Sequence, residues 1–345
     1  MLRRKKVELY VRSIMLLSVL AITASVSLRA QNARLGVYPT ALSDSTRRVV
    51  FDREAFFGDS AAMPRWDNKY LVSRAVETYQ AGPNVRLYDQ SGEKVREAAI
   101  WFPGSRRVVM YSATVTADGR VIAAGSADKP DGTVAPFIAE TDLAGKMTDV
   151  IQTKGFAPAN ICLAPDGTIW SFGGTGYNSH SEPNPGDTLR HFELQKGEVG
   201  SYLPRSAFPS HPGPETLAYI RCLPHEVVVY ATRTQEYIEM KYGGVAPHVY
   251  RAEAQSVPQL LGFAATGSKE VYGYFSSGGN SGLYYLSFDE AASTVRWLPV
   301  RGSIGAYTKA GAITGLWGSD DKALLVSRAE DSAGVIALHW VSPIK

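Results

Sequence analysis

Short apolar segments joined by tight turns recur along this chain and predict pairs of antiparallel strands. The two clearest examples are nearly alike: residues 115–122 read Val-Thr-Ala-Asp-Gly-Arg-Val-Ile, and residues 163–170 read Leu-Ala-Pro-Asp-Gly-Thr-Ile-Trp. Each is a strand, an Asp-Gly turn and a second strand, because a hairpin turn needs positive backbone angles that glycine adopts freely and aspartate tolerates. After the first thirty residues, no window keeps apolar residues at helical spacing over three turns.

These hairpins belong to a repeat. Weaker copies at residues 66–72, 223–229, 266–272 and 319–325 bring the total to six units. One turn residue of each unit serves as a marker, and the markers lie 43 to 59 residues apart: Asp67, Asp118, Asp166, His225, Ser268 and Asp321. A second hairpin follows in the first five units, with turns at residues 89–92, 142–145, 195–197, 241–244 and 289–292. Two hairpins give four strands, which is the content of one propeller blade.

The sixth unit ends one strand short, after the apolar segment at residues 335–340. The segment Arg47–Phe51, near the other end of the chain, has no unit of its own and is expected to supply the missing strand. Pairing the two ends in this way removes the open sheet edges of a ring. The sequence therefore predicts an all-β fold: a six-bladed β-propeller of four-stranded antiparallel blades, closed by an N-terminal strand that completes the last blade.

The recurring strand, Asp-Gly, strand pattern resembles the six-bladed β-propeller superfamily, in particular its TolB-like and NHL-type repeats, over about residues 35–345. Residues 163–170 are also similar to the repeat of streptogramin lyases and gluconolactonases. Gluconolactonase-like enzymes hold a divalent cation in the central tunnel with a glutamate, an asparagine and an aspartate, but their early Glu-Gly-Pro motif is absent here. The resemblance implies an architecture and not an activity, since unrelated propellers share these turns.

The start of the chain changes the picture of its charge. The chain has 345 residues and a net charge of +3, but the first thirty residues alone carry +5, which leaves −2 for the rest. A basic head, an apolar run over residues 14–28 and Ala30 predict a secretory signal at residues 1–30, with an uncleaved anchor as the alternative. We expect a single domain at residues 31–345, exported to the periplasm or outside the cell and free of the membrane after cleavage. No basic stripe predicts a nucleic-acid partner.

Cys162 and Cys222 are the two cysteines, and both lie in apolar, strand-like segments. An exported chain enters an oxidising space, so a disulfide is possible. Two buried free thiols are the favoured interpretation.

Two long loops, at residues 173–187 and 204–215, are expected over the third blade and its junction with the fourth. Long loops on a rigid scaffold commonly carry binding residues. These loops hold Tyr177, His180, His211 and Glu215, whose nitrogen and oxygen donors suit a divalent metal or a histidine base. The alternative is that the two histidines are ordinary exposed loop residues.

Asn160 and Glu215 precede predicted inner strands and are candidate metal ligands at the mouth of the tunnel, or else caps of strand ends. Tyr111, Tyr307 and Trp317 also lie near the start of inner strands. An aromatic rim there would stack against a sugar or peptide, whereas the alternative role is packing between blades.

Since no catalytic motif is found, the favoured function is an exported, non-enzymatic binding protein of unknown ligand. The expected partner is a protein, peptide or glycan on the long-loop face of blades three and four, with no cofactor. The alternative is a metal-dependent lactonase or lyase at the tunnel mouth, using Ca²⁺ or another divalent cation, Asn160 and Glu215 as ligands, and His180 or His211 as base.

Overall fold

A computed structural model describes residues 41–51, 57, 62, 64–175, 187–204, 218–253, 259–276, 282–300, 313–318, 324–330 and 335–344. Every regular element in these ranges is a β-strand, as the sequence predicts. Consistent with this, the described part of the chain contains no helix long and apolar enough to cross a membrane. The proposed signal at residues 1–30 lies outside the described residues.

In chain order the strands are β1 (Ala41–Phe51), β2 (Arg65–Asp67), β3 (Tyr70–Arg74), β4 (Glu77–Thr78), β5 (Val85–Tyr88), β6 (Lys94–Ala98), β7 (Arg107–Val115), β8 (Val121–Asp128), β9 (Val134–Thr141), β10 (Met147–Gln152), β11 (Phe156–Leu163), β12 (Ile169–Thr175), β13 (Asp187–Glu193), β14 (Gly197–Pro204), β15 (Ala218–Cys222), β16 (Glu226–Ala231), β17 (Glu236–Lys241), β18 (His248–Ala252), β19 (Gln259–Gly267), β20 (Glu270–Ser276), β21 (Gly282–Asp289), β22 (Thr294–Pro299), β23 (Ile313–Gly318), β24 (Leu324–Glu330) and β25 (Val335–Ile344).

These strands form five sheets. Their strand orders are β2-β3-β5-β6, β10-β9-β8-β7-β4, β11-β12-β13-β14, β15-β16-β17-β18-β22-β21-β20-β19 and β1-β25-β24-β23. Neighbouring strands are antiparallel except β18 and β22, which pair in parallel at Arg251↔Thr294 and Ala252↔Val295. That short contact joins two four-stranded antiparallel halves into the eight-stranded sheet.

The predicted Asp-Gly turns are confirmed. Gly119, between β7 and β8, has φ +94°, and its N–H donates to the Thr116 carbonyl at 2.9 Å. Gly167, between β11 and β12, has φ +86° and makes the equivalent bond to the Ala164 carbonyl at 3.0 Å. Second hairpins also form where expected: the Asp142 carboxylate, between β9 and β10, accepts two backbone N–H bonds. Aspartate recurs in these turns because its side chain satisfies backbone donors that no strand can.

The two ends of the described chain pair with each other. β1 runs antiparallel to β25, with Arg48 opposite His339 and Phe51 opposite Ile336. The strand predicted at Arg47–Phe51 is therefore present and longer than expected, since it begins at Ala41.

Apolar clusters lie between successive sheets. One joins Leu87 of β5 to Val108 and Phe137 of β7 and β9, and another joins Ile138 of β9 to Ile161 of β11; all five side chains are fully buried. Burying each such side chain contributes roughly 1.5–3 kcal/mol. Every residue of β8 is buried, whereas in β10, the outer strand of the same sheet, one residue is buried and the other five are half-buried or exposed. The sheets therefore stack face to face, with their outer strands half exposed.

Cys162 and Cys222 form a disulfide, with 5.5 Å between their Cα atoms. The prediction of two free thiols is wrong. The two cysteines are 60 residues apart in sequence but occupy similar positions in successive repeats, at the ends of β11 and β15. These two strands lie next to each other, so residues one repeat apart come within bonding distance.

Candidate functional site

A cavity of 280 Å³ lies where strands of all five sheets converge. Its walls come from β2 and β3 and from β7, β11, β15, β19 and β23. The polar side chains that line it are Arg65, Arg74, Tyr111, Ser112, Asn160, Tyr219 and Arg221. No aspartate, glutamate, lysine or histidine of the described residues lines this cavity.

Two glycines allow β19 and β23 to approach closely in the cavity wall. A Cβ atom added at Gly318 would lie 2.4 Å from the carbonyl oxygen of Ala265, and one at Gly262 would lie 2.8 Å from the backbone of Leu316. Real Cβ atoms do not approach backbone so closely, and only glycine fits at such positions.

Arg65 and Arg74 extend from β2 and β3 into the cavity. The Arg65 guanidinium donates to the Ile161 carbonyl of β11 at 2.9 Å, and Arg74 donates to the carbonyls of Met110 and Tyr111 on β7. A guanidinium has five N–H donors, so these bonds fix both groups without using all their donors. Arg74 and Arg65 thus tie the first sheet to the second and third.

Burial acts on both of these arginines. The pKa of Arg65 is lowered, mainly by burial and to a smaller extent by the charge of Arg221, while the Asp67 charge acts in the opposite direction. The pKa of Arg74 is lowered to about 10 by burial and by the charge of Arg65. Both remain protonated at neutral pH, but in an environment that disfavours their charge.

Arg221 reaches the cavity from β15 and is 9% exposed. Its Nη1 lies 3.4 Å from Oδ1 of Asp67 on β2. The Asp67 carboxylate is itself buried, and its Oδ2 accepts hydrogen bonds from the Thr114 hydroxyl and the Val115 backbone N–H. The guanidinium groups of Arg65, Arg74 and Arg221 therefore lie together on the cavity, and that of Arg221 is paired with Asp67.

The other wall of the cavity is apolar and aromatic. Tyr219 stacks on Phe263, with 5.6 Å between ring centroids and 20° between ring planes. Burial raises the pKa of Tyr219 to about 12, so its hydroxyl is a neutral donor at physiological pH. Leu261, Leu316 and Trp317 extend this wall along β19 and β23.

Several residues predicted for the site lie on this cavity. Asn160 lines it from β11, at a point where the register between β11 and β12 shifts, and Tyr111 and Trp317 line it from β7 and β23. The Tyr111 hydroxyl donates to Ser126 Oγ at 2.8 Å, which fixes its ring. Five predicted residues lie outside the described residues: Tyr177, His180, His211, Glu215 and Tyr307.

The described residues contain no group of three His, Cys, Asp or Glu side chains that could hold a metal ion. Of the two proposed ligands, only Asn160 lies within the described ranges, and its neighbours in the cavity include positive guanidinium groups.

Comparisons with known proteins identify a fold and no activity. The chain is similar to a presumed exported protein from Bacteroides fragilis NCTC 9343, with 9% identity and a TM-score of 0.54 over 88% of this chain and 96% of the other. It also matches the soluble aldose sugar dehydrogenase from Escherichia coli, at 11% identity, a TM-score of 0.44 and coverage of 86% and 100%. A gluconolactonase from Xanthomonas campestris matches at 12% identity, a TM-score of 0.40 and coverage of 88% of both chains.

No family model and no curated protein matches the chain in sequence. The sheets and the similarity to the B. fragilis protein define a β-propeller-like, all-β fold. At identities this low, the activities of these two enzymes do not carry over to this chain.

Proposed function

We propose that the chain is an exported six-bladed β-propeller that binds a small anionic ligand in its central cavity. In this proposal each four-stranded antiparallel group is a blade, and the two halves of the eight-stranded sheet are two blades. The sixth blade is β23, β24 and β25 completed by β1, so that the pairing of β1 with β25 closes the ring. The contacts of β11 with β7 and β15, and of β19 with β23, support a ring of inner strands around the cavity.

The observation that carries the ligand class is the convergence of Arg65, Arg74 and Arg221 on one cavity, which no aspartate or glutamate of the described residues lines. Partly buried like charges cost free energy in the empty protein, since each loses hydration and repels the others. An anion in the cavity would relieve that repulsion and form charge-assisted hydrogen bonds, which are about twice as strong as neutral ones.

Export is part of the same proposal. The basic and apolar start of the chain supports a cleaved signal at residues 1–30 followed by one propeller domain at residues 31–345. The presumed export of the B. fragilis protein of similar fold agrees with it. A disulfide between Cys162 and Cys222 also suits an oxidising compartment.

Thermal unfolding of protein starting at Gln31 tests the proposal. We expect sodium acetate, phosphate or benzoate to raise the melting temperature of the wild type more than sodium chloride does at equal ionic strength. Arg65→Gln and Arg74→Gln should each weaken the binding of that anion by about 10- to 100-fold, since each removes a charge-assisted contact. Arg251→Gln is the matched control, because that arginine is 72% exposed on β18. Equal loss in Arg251→Gln, or no response to any anion, would overturn anion binding in the cavity.

Two other functions predicted from the sequence remain proposals, and experiments must distinguish them from anion binding in the cavity. Binding of a protein, peptide or glycan on the long-loop face rests on Tyr177, His180, His211 and Glu215, outside the described residues. Metal-assisted lactonase or lyase chemistry would place Ca²⁺ near Asn160, where the guanidinium groups oppose a cation. Calcium titration by calorimetry distinguishes the latter: stoichiometric binding that is lost in Asn160→Ala would favour the enzyme.

A further inference from the structure

The disulfide between Cys162 and Cys222 is next to the cavity site on both of the strands that it joins. Cys162 directly follows Ile161, whose carbonyl accepts the hydrogen bond from Arg65. Cys222 directly follows Arg221, which lines the cavity. The bond therefore connects the point where β11 receives one arginine to the point where β15 supplies another.

Within the described ranges, no ladder of backbone hydrogen bonds joins these two strands, since β11 and β15 belong to different sheets. β11 is fixed to β7, because the Ile161 N–H donates to Ser112 Oγ at 3.2 Å. β15 pairs with β16 along one edge, and its residues 218–221 line the cavity in succession. The position of β15 relative to β11 thus rests on side-chain contacts, among them that of Arg221 with Asp67, and on the disulfide.

Electrostatic repulsion acts against this position of β15. The pKa of Arg65 is lowered first by burial and also by the charge of Arg221, against the opposing effect of Asp67. The two guanidinium groups therefore repel each other, and Asp67 offsets part of that repulsion. The disulfide, with 5.5 Å between its Cα atoms, limits how far β15 can move away from β11.

We propose, on the basis of the proposed function, that the Cys162–Cys222 disulfide positions Arg221 for the anion, so that its reduction lowers the anion affinity of the cavity. With the bond formed, Arg221 is held on the same cavity as Arg65 and Arg74. Reduction by a dithiol adds two electrons and two protons to the bond, which leaves two thiols in the protein and a disulfide in the reductant. β15 then gains freedom and Arg221 contributes less, while the five register pairs of β15 with β16 keep the sheet intact.

Calorimetric titration of protein starting at Gln31 with acetate, phosphate and benzoate tests this inference. Well below its melting temperature, Cys162→Ala/Cys222→Ala should bind each anion about three- to tenfold more weakly than the oxidised wild type, because one charge-assisted contact is partly lost. Wild type reduced with dithiothreitol should match the variant, and re-oxidation should restore the affinity. Ile151→Ala is the matched control and should keep the wild-type affinity. This side chain is 7% exposed on the outer strand β10, so its loss also destabilises the fold strongly but away from the cavity.

A double-mutant cycle separates the positioning of Arg221 from a general loosening of the fold. Arg221→Gln should weaken anion binding in the oxidised wild type, and by a factor at least about threefold smaller in the protein without the disulfide. Arg74→Gln should cost the same factor in both backgrounds, because Arg74 is held by the carbonyls of Met110 and Tyr111 on β7. Near-ultraviolet circular dichroism shows whether each variant is folded, and Arg221→Lys serves where Arg221→Gln does not fold.

The outcomes distinguish this inference from the proposed function. Failure of all three anions to bind the oxidised wild type would overturn both. An affinity that is unchanged without the disulfide would overturn the inference alone and leave anion binding intact. Equal losses in Ile151→Ala and the cysteine variant, or the same loss from Arg221→Gln in both backgrounds, would also overturn it, because the bond would then act on the fold as a whole and not on Arg221.

Discussion

His191 on β13 is a half-buried histidine within an aromatic cluster. Its ring packs edge-on against Trp170, with 4.7 Å between centroids, and Tyr202 stacks on the same indole at 5.7 Å. Burial lowers the pKa of His191, while the nearby carboxylates of Asp166 and Glu193 act against that shift. The folded protein therefore holds this imidazole neutral to lower pH than the unfolded chain does.

The lowered pKa predicts that acid destabilises the fold through His191. As the pH falls below about 6.5, the ordinary histidine pKa, the unfolded chain takes up a proton first. The free energy of unfolding then decreases by up to about 1.4 kcal/mol per pH unit until the pKa of the folded state is reached. Urea unfolding at a series of pH values measures this slope, which should be shallower in His191→Gln. His225→Gln, at an exposed turn, should keep the wild-type slope, and equal slopes in all three proteins would contradict the prediction.

Single residues also show what the sequence could not reveal about the site. Asn160, Tyr111 and Trp317 were predicted from their places in the repeat, and all three line the cavity. Arg65 and Arg221 were missed because an isolated arginine in a strand usually marks the solvent-facing side. Where the sheets converge, the side of an inner strand that would otherwise face solvent faces the cavity. The available signal was the position of these arginines, each within four residues of the marker of its unit.

At the scale of elements, turns are easier to predict than short strands. Asp118-Gly119 and Asp166-Gly167 could be recognised because turn chemistry is local: glycine adopts the positive φ, and the Asp166 carboxylate accepts a hydrogen bond from the Thr168 backbone N–H. β2, by contrast, has three residues, and Arg65 and Asp67 serve the cavity and not a regular apolar pattern. Polar residues used by a site therefore obscure the strand that carries them.

Also at the scale of elements, the disulfide between β11 and β15 should stabilise the folded protein strongly. Closing a loop of 60 residues lowers the entropy of the unfolded chain and contributes about 4 kcal/mol. We expect the Cys162→Ala/Cys222→Ala double variant to melt roughly 5 to 10 °C below the oxidised wild type. Reduced wild type should melt with the variant, since both lack the cross-link. Unchanged melting after reduction, with free thiols confirmed by labelling, would show that the bond contributes no stability.

At the scale of the whole molecule, the repeat and the pairing of the chain ends act together. Each sheet buries its faces against its neighbours, so the inner strands meet at the cavity and no sheet is stable alone. The sequence predicted this repetition of sheets because the hairpins recur every 43 to 59 residues, even where the residues in them differ. The pairing of β18 with β22 could not be predicted, since it joins the outer strands of two different repeats through only two residues of each strand.

The proposed closure of the ring makes a register-specific prediction for cross-linking. Val49 lies opposite Leu338 and Val50 opposite Ala337, and side chains directly opposite in an antiparallel pair have Cβ atoms about 4.5–5.5 Å apart. Successive pairs alternate between the close and the wide spacing, so one of Val49→Cys/Leu338→Cys and Val50→Cys/Ala337→Cys should form a disulfide readily. The offset pair Val50→Cys/Leu338→Cys should not, because the two positions are one residue out of register. Peptide mass mapping without reduction identifies the bonds. Cross-linking of the offset pair alone, or between separate molecules, would contradict a ring in which β1 completes the last blade.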